Sequence, residues 1–189
     1  MILELLAERR FITMNKFKNG AIVQVFLNNK FFIIGEVLSI DPKWILLHCI
    51  SAQDGFWDGI RLILKSDIVR TKTRSNEIYR TLKLHSYRNC KSIAVDDLLN
   101  CVNCMEALFS FCCRNKYLMS VELLKSDNLD SIGVPIQYDD RYIEIEQYDE
   151  NGAFDGHSII RTDYITRCCI MGWYEESVYM LLNGTSPYT

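Results

Sequence analysis

The chain has 189 residues, of which 49% are hydrophobic and 24% charged, with 8 cysteines and a formal net charge of −3. That length makes one large domain or two small ones, and the ordinary globular composition excludes a disordered or low-complexity scaffold. No apolar run reaches the ~18 residues of a membrane-spanning helix, and Glu4 and Glu8 interrupt MILELLAERRF, where a secretory signal would be uncharged. A cytoplasmic protein with free thiols is the expectation.

In chain order, ILELLAERRF has the spacing of an amphipathic helix, and AIVQVFLN alternates as a half-buried strand does. FFIIGEVLSID is a long strand with a glycine inside it, a mark of a bulge or a sharp bend. WILLHCISA is a third strand. DGFWDG follows, and its Asp54-Gly55 pair predicts a tight hairpin with both turn residues at positive φ. Its aromatic, Trp57, is expected to fold over a barrel mouth, with Asp58-Gly59 ending the loop. IRLILKSDIVRTKT reads as a fourth strand bending around Ser66-Asp67, and Ser75 is a helix N-cap before NEIYRTLKLH.

The same order then returns. VDDLLNCVNCMEALF predicts a helix, KYLMSVELLK a strand, LDSIGVPIQYDD a glycine-containing strand and RYIEIEQYD a third strand. NGAFDG repeats the hairpin, with Asn151-Gly152, Phe154 and Asp155-Gly156 in the corresponding places. HSIIRTDYITRC is the fourth strand, and WYEESVYMLL closes the copy as a helix. Gly35 falls on Gly133, Asp41 on Asp139, Trp44 on Tyr142, Ile45 on Ile143 and Val25 on Val121. Asp67 falls on Asp163 only after a one-residue slip. The chain is thus read as two copies of one small domain, 1–90 and 91–189.

A helix, a bent second strand with a central Gly and an Asp before the third strand resemble the Sm-like fold. GEVLSIDPKWILL resembles its first motif and SDIVRTKT its second. The aromatic-Asp-Gly element and the later Asp-Ile-x-Arg segment resemble uncharacterised tandem-barrel proteins of Gram-positive bacteria. The resemblance implies a mainly β protein with flanking helices: two tandem five-stranded Src-homology-3-type small barrels, each preceded by an α-helix. It also implies side-by-side strand pairing into rings, and single-stranded RNA as the family's ligand. The family's RNA-contact Asn is replaced by Trp44-Ile45 and Tyr142-Ile143, and its Arg-Gly by Arg70-Thr71 and Arg167-Cys168.

Charge divides along the repeat. Residues 1–95 hold 15 Lys/Arg against 8 Asp/Glu, or +7, while residues 96–189 hold 6 against 16, or −10. The basic residues concentrate in 65–91, including Arg70, Lys72, Arg74, Arg80 and Lys83, with Tyr79 as a stacking surface. Such a patch serves phosphate neutralisation, or docking of a basic copy on an acidic one in the same or a neighbouring chain.

Nothing combines into a catalytic motif: His48, His85 and His157 are scattered, and there is no nucleophile elbow or phosphate-binding glycine loop. Cys101, Cys104, Cys112 and Cys113 have a zinc-knuckle spacing at the first pair, but they lie in a helical pattern that places them as small apolar packing residues. Asp54 and Asp58 are too few for a calcium loop, and hairpin geometry accounts for them. The expectation is a non-enzymatic binding or adaptor protein that associates with itself or another protein, with no cofactor, metal or membrane. RNA binding at the basic copy is the alternative.

Overall fold

The computed structural model describes residues 17–28, 31–88, 94–124 and 131–184, so the helix expected at 2–11 lies outside the described residues. Ten strands follow in sequence: β1 (Ile22–Leu27), β2 (Phe32–Ile40), β3 (Trp44–Ile50), β4 (Trp57–Leu64) and β5 (Ile68–Lys72), then β6 (Met119–Leu123), β7 (Ser131–Tyr138), β8 (Tyr142–Tyr148), β9 (Phe154–Arg161) and β10 (Ile165–Ile170). Helix α1 (Asn76–Tyr87) follows β5, α2 (Cys104–Asn115) precedes β6, and α3 (Trp173–Asn183) follows β10. The protein is mainly β, with two similar halves. Its strands hydrogen-bond in the antiparallel order β5-β1-β2-β3-β4-β10-β6-β7-β8-β9.

That order corrects the expectation of two closed barrels. Among the described residues no pairing joins β5 to β4 or β10 to β9, so neither repeat closes on itself. The fourth strand of the first copy pairs instead with the fifth strand of the second. A closed barrel removes its edges by internal pairing; here β4 obtains its second ladder from another repeat.

The chain divides into two compact units, one of residues 1–57 and 64–104, the other of 58–63 and 105–189. In the first unit, β1 buries Val23, Val25 and Leu27 on one face, and Gln24 on the other is buried as well, where it accepts from Ser75 Oγ. Every residue of β3 is buried, which explains why WILLHCI reads as a continuous apolar run. Gly35 has a tighter reason than a bend: a Cβ there would lie 2.6 Å from the His48 carbonyl oxygen across the β2–β3 ladder. Gly133 repeats this against the Glu146 carbonyl in the second unit.

The repeat extends to irregularities of the backbone. A bulge between Val37 and Ser39 recurs between Pro135 and Gln137. Asp41 Oδ1 accepts the N–H groups of Lys43 and Trp44, each at 2.7 Å, and Asp139 Oδ1 accepts those of Arg141 and Tyr142 at 2.7 and 2.8 Å. The aspartate before the third strand therefore builds the β2–β3 turn by local hydrogen bonding. Those backbone donors, Arg141 N–H first, hold the Asp139 carboxyl below its ordinary range.

Several expected local features differ in detail. The DGFWDG loop is not a two-residue turn. Gly55 has positive φ and Asp54 does not, and the loop closes by Gly55 N–H donating to the Ser51 carbonyl at 2.9 Å. Asp58-Gly59 does not end the loop either, because both lie inside β4, with Gly59 at φ 74°. Asp155-Gly156 lies likewise inside β9, where the β8–β9 register shifts. A left-handed glycine at such a shift is a bulge device that leaves no room for an ordinary turn there. The fourth strand does not simply bend. Short 3-10 turns, Lys65–Asp67 and Thr162–Tyr164, separate β4 from β5 and β9 from β10. With those turns aligned the slip disappears, so Ile68 corresponds to Ile165, Arg70 to Arg167 and Ser75 to Gly172.

Ser75 is the N-cap of α1, its Oγ accepting the Ile78 N–H at 3.2 Å while donating to Gln24 Oε1 at 2.9 Å. In α3 the equivalent Gly172 has no side chain, and buried Glu175 substitutes by accepting the Gly172 N–H at 3.0 Å. The helix expected across 95–109 is broken. A 3-10 turn at Asp96–Leu98 gives way to an irregular segment with Asn100 at φ 56°, and α2 begins only at Cys104. In the second unit Leu118, Ile132 and Val178 form a small core against Tyr148, Tyr174 and Tyr179.

Candidate functional site: strand edges and a basic cleft

The hydrogen-bond order ends at β5 and at β9. These are the repeat counterparts of β10 and β4, the two strands that pair with each other. In the β4–β10 ladder, Ile60 faces Ile170, Arg61 faces Cys169, Leu62 faces Cys168 and Ile63 faces Arg167. Leu62 is 0% exposed in that setting. Its counterpart on β9, Ile159, is 71% exposed. An apolar β-branched residue open to solvent on an edge strand is an unprotected pairing surface, the kind of edge that folded proteins ordinarily block.

Around β9 the surface is acidic and partly apolar. A cleft of about 570 Å3 is lined by Gln137, Tyr138, Asp139, Tyr142, Glu144 and Ile159. Glu144 Oε1 lies 3.4 Å from His157 Nδ1. On the other terminal strand, a cleft of about 670 Å3 is lined by Phe26, Phe32, Arg70, Lys72, Arg74 and the first turn of α1. Arg70 Cζ sits 3.9 Å from the centroid of the Phe26 ring, and Lys72 Nζ sits 5.5 Å from it, both cation–π contacts.

Three of the residues assigned to RNA from the sequence are thus gathered in one cleft, and three are not. Arg80 donates to the Ala52 carbonyl at 3.0 Å and pairs with Glu77. Tyr79 and Lys83 are exposed on α1, outside the lining of the cleft. Arg88, also from the basic segment, has a structural use, donating from Nε to the Asp54 carbonyl at 2.9 Å with its guanidinium over Phe56.

The turn residues are used locally as well. Asp149 Oδ1 accepts from Asn151 and Ala153 at 2.9 and 2.8 Å, which lowers its carboxyl below the ordinary range. Asp54 Oδ1 accepts from Phe56 N–H at 3.2 Å, and its hydrogen bond with Ser51 leads the causes that lower it. Asp58 bridges two elements, accepting from Arg61 at 2.6 Å and facing the first N–H of α3 at 3.5 Å. Gly59 is hemmed in by backbone: a Cβ would lie 2.2 Å from the Ile170 carbonyl and 2.4 Å from the Gly172 nitrogen. No cluster of three His, Cys, Asp or Glu suited to a metal occurs among the described residues.

His48, on the fully buried strand β3, lies in the core of the first unit. It is 2% exposed, stacked on Trp57 with ring centroids 3.6 Å apart, and its Nε2 has no hydrogen-bond partner among the described residues. Trp57 in turn meets the edge of His85, whose Nδ1 is 2.7 Å from the Gly55 carbonyl. Burial, reinforced by His85, lowers His48 to about 4. The loop aromatic of the first copy is thus a packing plate between two histidines, while Phe154 in the second copy is exposed.

No helix among the described residues is long and apolar enough to cross a membrane. Sequence reasoning missed the contrast between Leu62 and Ile159, because both are aliphatic residues on equivalent strands and the residues beside them differ: Leu62 faces Cys168 of β10, and Ile159 faces Glu144 of β8. Comparison with known proteins finds no matching family model, no matching characterised protein and no matching solved structure.

Proposed function

We propose that the chain is a non-enzymatic protein-binding module of Sm-like pattern that assembles with copies of itself through strands β9 and β5. The observation that carries the reading is the unequal burial of Leu62 and Ile159 at equivalent positions. The β4–β10 ladder supplies the template, since it is the side-by-side pairing of one repeat with another that the resemblance implies. Transferred by repeat equivalence, Ile159 faces Thr71, Ser158 faces Lys72 and Ile160 faces Arg70 of the second molecule. Asp155, the counterpart of Asp58, then meets the N-terminus of α1 at Asn76. The acidic surface around β9 and the basic surface around β5 are complementary in charge, which favours this register over pairing of like edges.

Burial of Ile159 contributes about 1.5–3 kcal/mol, and each new backbone hydrogen bond about 0.5–1.5 kcal/mol. Light scattering across a concentration series tests the reading. Wild type is expected to self-associate more strongly at low salt, and Ile159→Lys to remain monomeric while folding normally. A monomeric wild type at every concentration, or an Ile159→Lys variant that assembles equally well, refutes it.

The cleft of Arg70, Lys72 and Arg74 beside two phenylalanines favours a second reading, single-stranded RNA at the same edge. Arg70 already covers one face of Phe26, which limits base stacking there. RNA binding that weakens steeply with salt and disappears in Arg70→Glu/Arg74→Glu would support it, and binding unchanged by that pair of substitutions would dismiss it.

A further inference from the structure

The irregular segment before α2 holds a second chemical feature that the edge-strand reading does not use. Cys101 is partly exposed, and Cys104, the first residue of α2, is buried. Their thiols are close enough to influence each other. The pair is held from both sides by the β2 strand and the turn after it. Ser39 Oγ donates to the Cys101 carbonyl at 2.8 Å, and Asp41 Oδ2 accepts the Cys104 N–H at 2.8 Å. Asn100 has a positive φ, and Cys101 lies in the irregular segment between it and the first residue of α2, Cys104. Two free thiols three residues apart, one accessible and one buried behind it, have the division of labour of an attacking and a resolving cysteine.

We propose that Cys101 and Cys104 form a thiol–disulfide exchange site that reacts with low-molecular-weight disulfides. The Cys101 thiolate attacks one sulfur of the small disulfide, forming a mixed disulfide and expelling one thiolate, which takes up a proton. Cys104 then loses its proton and attacks the Cys101 sulfur, forming the Cys101–Cys104 disulfide and releasing the second small thiol. Two electrons pass from the protein dithiol to the small disulfide, and the two protons leave on the two released thiols.

The electrostatics agree with these roles. The neighbouring Cys104 thiol lowers Cys101, with Ser39 adding to it, while Cys101 and burial raise Cys104. Cys113 is also partly exposed but has no thiol partner of this kind, and burial raises it. Cys101, at about 6, is mostly thiolate at neutral pH, whereas burial keeps Cys113 mostly protonated, so Cys101 reacts faster even though the more acidic thiol is intrinsically the weaker nucleophile.

The test uses the full chain equilibrated with glutathione disulfide and glutathione, followed by acid quenching and peptide mass analysis. The expected product is an intramolecular Cys101–Cys104 disulfide in wild type and a mixed disulfide trapped on Cys101 in Cys104→Ser. Iodoacetamide at neutral pH should label Cys101 severalfold faster than Cys113. Equal labelling of the two, a wild-type product that stops at the mixed disulfide, or trapping in Cys104→Ser no greater at Cys101 than at Cys113 overturns the proposal. Labelling of the unsubstituted protein keeps the test valid if Cys104→Ser folds poorly.

Discussion

Acidification from neutral pH should destabilise the protein through His48. The imidazole is buried against Trp57, and its pKa falls from 6.5 to about 4 on folding. Between those values the unfolded chain binds a proton that the folded chain refuses, so stability rises with pH across this window. The contribution is fully present above pH 6.5, is lost as the pH falls towards 4, and does not change further below that. A depression of about 2.5 units corresponds to a limit of about 3 kcal/mol, of which about 2 kcal/mol is lost by pH 5. Against a typical total of about 5–15 kcal/mol, that loss is large enough to measure. Urea unfolding at neutral pH and at about pH 5, compared between wild type and His48→Phe, isolates the effect. The phenylalanine keeps a ring against Trp57 and removes both the titration and the unpaired Nε2, so the variant should lose about 2 kcal/mol less over the same interval. Parallel losses in the two proteins would refute the reasoning.

Gly59→Ala and Gly156→Ala, the same substitution at equivalent positions, should differ sharply. Both residues have positive φ, but only at Gly59 does a Cβ meet backbone, so its replacement should cost several kcal/mol and Gly156→Ala about 1–2 kcal/mol by thermal unfolding. If β9 pairs as β4 does, Gly156→Ala should also weaken self-association in light scattering, which equal assembly by the variant would contradict. Ser75→Ala should lower stability by about 1 kcal/mol in urea unfolding, since the Ile78 N–H loses its cap and Gln24 its partner.

Much of the site was visible locally. The two aspartates before β3 and β8, the Ser75 cap and the strand alternation of β1 all depend on neighbours within a few residues, and each formed where the residue pattern placed it. The basic cleft was legible only in part. Arg70, Lys72 and Arg74 follow one strand and its exit and so remain together, whereas Arg80 on α1 is drawn to the Ala52 carbonyl of a distant loop. Cys104 and Cys112 are buried in the helix as packing residues, as the spacing indicated, but Cys101 lies outside it, where Asn100 adopts a left-handed conformation and the Asp41 carboxylate accepts the first helical N–H at Cys104.

The sequence by itself determined the duplication, the β class, the turn chemistry and the charge division between halves, because repeated residues impose the same short-range sterics and hydrogen bonds in both copies. Only the tertiary structure decided that β4 pairs with β10 and that β9 has no such neighbour among the described residues. Leu62 and Ile159 carry the same hydrophobic instruction, yet Leu62 is buried on a strand paired with one more than a hundred residues away, and Ile159 is exposed. A strand's sequence specifies which face is apolar, but the ladder that covers its edge is a long-range pairing whose partner lies outside any local pattern.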